Sequence, residues 1–142
     1  MNSGGLRTKG ITKSSRPGEP LISVVTVVYN GAETLEQAIL SVLGQTYGNV
    51  EYVIIDGGST DGTLDIIRKY EDKIDFWQSG PDGGIYDAMN KGIALATGEY
   101  IALLNADDWY EPGTCALVAG EICKSRADVY HGLLRYIDSG GK

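Results

Sequence analysis

The stretch "LISVVTVVYNGAETLEQAILSVLGQ", residues 21–45, decides the fold. Its first eight residues are a short, β-branched apolar run, the composition of a strand buried on both faces. From Leu35 the period changes. Leu35, Ala38, Ile39, Val42 and Leu43 recur at helical spacing, with Asn30 predicted as the N-cap and Gly44 as the stop. A buried strand that runs straight into an amphipathic helix is the opening unit of a layered α/β fold.

The same unit recurs downstream. "VEYVIID" (50–56) reads as a second buried strand, and "GGSTDGT" (57–63) as a turn in which Ser59 or Thr60 caps a helix carrying Leu64, Ile66, Ile67 and Tyr70. A short apolar piece at 74–77 precedes "SGPDGG" (79–84), a helix near 85–97, and "YIALL" (100–104) as another strand. Pro112 suits the first turn of a helix running to about Ser125, and "ADVYHGLLRYI" (127–137) reads as a final strand. Alternation with short links predicts a three-layer α/β/α fold around a mainly parallel sheet. In such sheets ligands bind beyond the carboxyl ends of the strands. That points to the loops 29–31, 56–62, 79–84 and 105–109.

Residues 1–20, rich in Gly, Ser, Lys and Pro and without periodicity, read as a flexible tail, so the folded domain is expected to span 21–142. A chain of 142 residues can bury a core without disulfides. Cys115 and Cys123 lie eight apart in a predicted helix, roughly 12 Å along its axis, too far to bridge. Both are expected to be buried free thiols. No apolar run reaches the roughly 18–20 residues of a membrane span, and residues 1–20 lack the apolar core of a signal peptide. The expectation is a cytoplasmic protein, soluble or peripheral at the inner face of the membrane.

Charge narrows the ligand class. The chain carries a net charge of −7, and Arg7, Lys9, Lys13 and Arg16 all fall in the first twenty residues, so the remainder is more acidic still. Phosphate-backbone binding needs the opposite sign, which excludes nucleic acid. An anionic ligand would have to bring a cation with it.

Three motifs carry chemistry. In "IIDGGSTDGT" Asp56 leaves a buried strand at a glycine turn; an EF-hand calcium loop is excluded because its twelfth position is Ile67, where a bidentate Glu is required. "SGPDGGIYDAMNKG" is a glycine-rich bend entering a helix, able to offer amides to a phosphate, but it lacks the Gly-Lys-Ser/Thr of a P-loop. The chain also lacks the spaced glycines of a dinucleotide-binding turn. In "LLNADDWY" (103–110), Asp107 and Asp108 repel each other unless something positive lies beside them. Mg²⁺ or Mn²⁺, a hard cation held by one or two carboxylates plus substrate phosphates, would answer that need; a solvated turn capping the next helix is the plainer reading. Tyr29 could flank a base and Trp109 could shield the acid loop, or both could simply pack. The single histidine, His131, sits in an apolar pattern and reads as structural, and neither a hydrolase triad nor a zinc site is indicated.

Taken in order, "ISVVTVVYNGAETLEQAILSVLGQTYGNVEYVIIDGGSTDGT" (22–63) and "NKGIALATGEYIALLNADDWYEPG" (90–113) resemble family 2 glycosyltransferases of the GT-A fold. "PDGGIYDAMNKGI" (81–93) is similar to a bacterial subgroup involved in surface-polysaccharide assembly. The resemblance covers about residues 21–138. It implies a Rossmann-like half that binds a nucleotide-diphosphate sugar, often UDP-linked, for inverting transfer to a polysaccharide or lipid-linked acceptor. Carried over position by position, the donor-binding residues would be Val27, Tyr29, Asn30, Asp56, Gly57, Asp82, Asn90, Ala106 and Asp107. Asp107 and Asp108 would hold Mg²⁺ or Mn²⁺. Three positions depart from the family pattern: Gly57 and Asn105 stand where many members have Asp, and Met89 where many have Arg.

The resemblance also implies that an acceptor-binding half, with the catalytic base, follows in such enzymes. The expectation is therefore a donor-binding portion, incomplete at the C-terminus and weak or inactive in transfer alone. An uncovered apolar face could then support a homo-oligomer. A non-catalytic nucleotide-sugar binding module is the alternative.

Overall fold

A computed structural model describes residues 2–125 of the protein. The predicted strand at 127–137, with His131, lies outside the described residues. The elements are β1 (Asn2–Gly4), a 3₁₀ turn (Leu6–Lys9), β2 (Ile22–Val28), α1 (Leu35–Leu43), β3 (Val50–Asp56), α2 (Thr63–Lys69), β4 (Phe76–Ser79), α3 (Ile85–Leu95), β5 (Tyr100–Leu103) and α4 (Thr114–Ser125). They form one five-stranded sheet in the order β1-β4-β3-β2-β5. β2 pairs in parallel with both β3 and β5, and β3 with β4; only β1 is antiparallel.

Period-two alternation sorts the buried strands into two cores. Val24, Val28, Tyr52 and Ile54 face α1, α2 and α4, where Leu35, Ile39, Ile67 and Ile122 complete the larger cluster. Val25, Val27, Val53 and Ile55 face Ala88 of α3 on the other side. The result is the expected three layers. α3 can lie close because Gly92 meets the sheet: a Cβ there would fall 2.2 Å from Val25 Cγ1.

Residues 2–20 correct the expectation of a flexible tail. β1 extends the sheet beside β4, Asn2 opposite Ser79 and Gly4 opposite Trp77. Arg7 reaches Glu51 at 2.8 Å and the Leu95 carbonyl at 2.9 Å, and stacks over Phe76. Lys13 bonds the Val50 carbonyl at 2.7 Å and Asp75 at 3.1 Å. The physical reason is two buried acids. Glu51 and Asp75 sit in apolar runs, and a buried carboxylate needs charged and hydrogen-bonding partners.

Smaller differences concern the helix ends. α1 starts at Leu35 with Thr34 as its cap, and Asn30 instead takes a left-handed conformation at φ 49°. Gly62, and neither Ser59 nor Thr60, precedes α2. Gly44 ends α1 as expected. Cys115 is buried but Cys123 is exposed, which corrects half of the thiol reading.

Candidate functional site

All four parallel strands end on one edge of the sheet. Register aligns Val28 with Asp56 and Asp56 with Ser79, and the Leu104 N–H donates to the Val25 carbonyl at 2.9 Å, so the loop after β5 starts beside the loop after β2. A Cβ built on Gly31 would touch the Ala106 Cβ at 3.6 Å, which places Ala106 against the 29–31 turn. The loops singled out from sequence therefore do gather at one place.

"STDGT" turns out to be a lock on the loop after β2. Ser59 Oγ accepts from the Asn30 N–H at 2.7 Å, and Asn30 Oδ1 accepts from the Thr60 N–H at 2.8 Å. Gly31 N–H donates to Thr63 Oγ1 at 3.0 Å and Ala32 N–H to Asp61 Oδ2 at 3.2 Å. Asp61 also accepts from the Thr63 hydroxyl and amide, and these bonds, the hydroxyl first, hold its carboxyl below the ordinary range. Asn30 thus serves to fix the loop, its left-handed turn being one that Asn tolerates better than most side chains.

Asp56 is similarly engaged. Its residual exposure is 1%, and its carboxylate accepts from the Ser59 N–H at 3.1 Å, the Ser59 hydroxyl, and the Ser79 hydroxyl at 2.6 Å. These bonds tie the ends of β3 and β4 together at the floor of the site.

Above that floor opens a cavity of about 450 Å³, in the size range of small-molecule sites. Val27, Val28, Tyr29 and Gly57 form its strand side; Pro81, Asp82, Gly84, Ile85 and Ala88 form the side of the loop and helix after β4. Val27, Tyr29, Gly57 and Asp82 were singled out from sequence. Ile85 and Ala88 were not, although their spacing of three places both on one face of α3. Tyr29 is 65% exposed at the rim.

Asn90 is the predicted residue that the structure does not bring in. It is exposed, two positions from both Ala88 and Gly92, which face the sheet, and so lies on the opposite side of α3. The glycine-rich bend is also not the phosphate cradle that sequence allowed. Gly83 N–H donates to Asp87 Oδ2 at 2.8 Å and Gly84 N–H to Asp82 Oδ1 at 2.9 Å, so the chain's own acids occupy those donors. The Gly83 N–H and the neighbouring Lys91 ammonium hold the Asp87 carboxyl below its ordinary range.

Asp107 and Asp108 are exposed, next to Ala106 and on the same edge as the cavity. The Asp108 N–H donates to the Asn105 carbonyl at 3.1 Å. Partial burial, and then the Asp107 charge, push its carboxyl above the ordinary value. Two adjacent oxygen donors with unrelieved mutual repulsion fit a hard divalent cation whose remaining positions substrate or water would fill. Among the described residues no group of three or more His, Cys, Asp or Glu side chains gathers to hold a metal by itself.

The family model for glycosyl transferase family 2 matches residues 23–142. The chain belongs to that family. A PGL/p-HBAD biosynthesis glycosyltransferase of Mycobacterium bovis is 41% identical over 107 residues, which is 72% of this chain and 42% of that one. Among solved structures, S. aureus TarS 1-349 in complex with UDP-GlcNAc aligns with a TM-score of 0.70 at 26% identity, covering 76% of this chain and 32% of that one. The mannosyltransferase PcManGT from Pyrobaculum calidifontis, in complex with GDP-Man and Mn²⁺, aligns with a TM-score of 0.64 at 26% identity, over 72% and 32% of the two chains. The GT-A architecture expected from sequence is thus the observed one. The chain spans less than half the length of the curated relatives it matches.

Proposed function

We propose that this segment is the donor-binding portion of a metal-dependent, inverting glycosyltransferase that moves a sugar from a nucleotide-diphosphate donor, a UDP-sugar, to a polysaccharide or lipid-linked acceptor. The observation that carries the reading is the meeting, on one sheet edge, of a cavity rimmed by an aromatic side chain and a loop bearing two adjacent carboxylates. Family membership and neighbours that bind UDP-GlcNAc or GDP-Man support it.

In this reading Tyr29 stacks on the base and the cavity holds the nucleoside. Asp107 and Asp108 hold Mg²⁺ or Mn²⁺, which as a Lewis acid would stabilise the departing diphosphate. The acidity of the chain outside its first twenty residues then has a counterpart. The proposed setting is cytoplasmic, at the inner face of the membrane if the acceptor is lipid-linked; no helix among the described residues is long and apolar enough to cross a membrane.

Calorimetric titration with UDP, with and without Mn²⁺, tests the reading. Binding that strengthens markedly with Mn²⁺ is the expected outcome; no binding in either condition would overturn it. Turnover by the longer parent protein separates an enzyme from a non-catalytic binding module. Self-association is part of the same proposal, because Ile101 and Leu103 on β5 are 39% and 46% exposed. Sedimentation should show dimers or larger species at high concentration, and monomer alone would remove that part.

A further inference from the structure

We propose that Arg7 is a positioning residue for the candidate site: from the N-terminal segment it caps the far end of α3, and so sets where the near end of that helix, one wall of the cavity, stands. The ligand half of the test rests on the nucleotide-sugar reading above; the inference about α3 does not.

α3 has little of its own to fix it along the sheet. Its buried residues are Ala88 and Gly92, and Gly92 lies against Val25 and Ile55. Small side chains let a helix come close, but they offer few knobs to resist sliding along its axis. At the N-terminal end the bonds stay local. Gly83 and Gly84 donate to Asp87 and Asp82, and Lys91 pairs with Asp87. The Gly80 N–H reaches the Asp56 carbonyl at 3.1 Å, which fixes the start of the loop and not the helix.

The C-terminal end is held differently. α3 carries no basic residue in its last turn, so it brings no cation to the negative end of its own dipole. Arg7 supplies one from the other end of the chain. Its Nη1 donates to the Leu95 carbonyl at 2.9 Å and its Nη2 to Glu51 Oε2 at 2.8 Å, while the guanidinium sits 5.2 Å from the centre of the Phe76 ring.

Glu51 is the anchor behind that fork. It is 3% exposed, and each carboxylate oxygen has two donors. Oε1 accepts from the Ser23 hydroxyl at 2.7 Å and the Thr97 N–H at 2.8 Å; Oε2 accepts from the Thr97 hydroxyl at 2.7 Å and from Arg7. Ser23 Oγ in turn accepts the Gly98 N–H at 2.8 Å. Thus β2, β3 and the link between α3 and β5 meet at one buried carboxylate, and Arg7 joins the helix end to it. From this point α3 spans roughly 15 Å back to Ile85 in the cavity wall, and β5 leads to the loop with Asp107 and Asp108.

The same segment provides a control. Lys13 also reaches a buried acid, Asp75 at 3.1 Å, together with the Val50 carbonyl at 2.7 Å, and neither belongs to α3. A purely structural staple would make the two cations equivalent. The experiment compares wild type, Arg7→Ala, Arg7→Lys and Lys13→Ala by amide hydrogen exchange and by calorimetric titration with UDP and Mn²⁺, the stoichiometry giving the folded fraction. In Arg7→Ala, protection at Ala88 and Met89 should fall about 10-fold further than at Val53 and Ile54 of β3; in Lys13→Ala all four should fall together. UDP affinity should drop about 5-fold or more in Arg7→Ala and stay within about 2-fold in Lys13→Ala. Arg7→Lys keeps a charge for Glu51 but has no planar fork to reach Leu95 as well, so it should recover stability more fully than affinity. If α3 and β3 lose protection in parallel in Arg7→Ala, or if its UDP affinity stays within about 2-fold of wild type, Arg7 only staples the segment to the sheet and the proposal is wrong. If UDP binds to none of the four proteins, the donor reading falls, and the exchange pattern alone decides the role of Arg7.

Discussion

Asp108→Asn is expected to lower Mn²⁺-dependent UDP affinity by about 100-fold, or about 2.7 kcal/mol, while the weak metal-free affinity stays within about 2-fold. The substitution keeps the volume and one oxygen but removes the charge that a divalent cation would use. It also relieves the repulsion between neighbouring carboxylates, which contributes to holding the Asp108 carboxyl above its usual value. Protein stability should therefore stay level or rise slightly, so loss of affinity cannot be attributed to unfolding. A titration in which the variant responds to Mn²⁺ as the wild type does would mean that the acid pair is a solvated turn and that the metal has no site there.

Arg7→Ala should destabilise the fold by about 3 kcal/mol, measured by urea denaturation, a large share of the roughly 5–15 kcal/mol of a typical domain. Arg7 is only 24% exposed and Glu51 4%, so this pair is screened far less than a surface one. The estimate sits at the low end for a broken buried pair because Glu51 keeps Ser23 and both donors of Thr97. The pH dependence has a definite sign. Burial raises the Glu51 carboxyl, but hydrogen bonds from Ser23, Thr97 and Arg7 together outweigh it and leave the folded value below the ordinary 4.5. A depressed carboxyl contributes stability that is present above about pH 4.5 and lost as pH falls through its folded value. Without Arg7 that folded value rises, so acid unfolding should begin at higher pH. An unchanged urea midpoint in Arg7→Ala would show that the N-terminal segment merely rests on the sheet.

The layered architecture was legible in the sequence because it is encoded locally. "ISVVTVV" and "VEYVIID" are too apolar and β-branched to be anything but strands buried on both faces, and the helices between them carry one apolar stripe each. The N-terminal segment was misread because nothing in its own composition calls for order. Its partners, Glu51 and Asp75, lie 44 and 62 residues from the cations that reach them. A signal was present all the same: two acids inside apolar runs, and a cluster of cations with no other assigned role.

Within the candidate site the division is similar. The sequence by itself determined which loops converge, because parallel strands joined by short crossovers must end on one edge, and it determined that Asp107 and Asp108 sit on such a loop. Only the tertiary structure decided what each residue there can do. Asn30 Oδ1 and the Asp56 carboxylate hold loops together, Asn90 turns away from the sheet, and Asp82 lines the cavity with its carboxylate in the space that a side chain on Gly57 would crowd. The reason is physical: periodicity settles which face of an element is buried, whereas the pairing of a hydrogen bond depends on distances between loops that no local pattern contains.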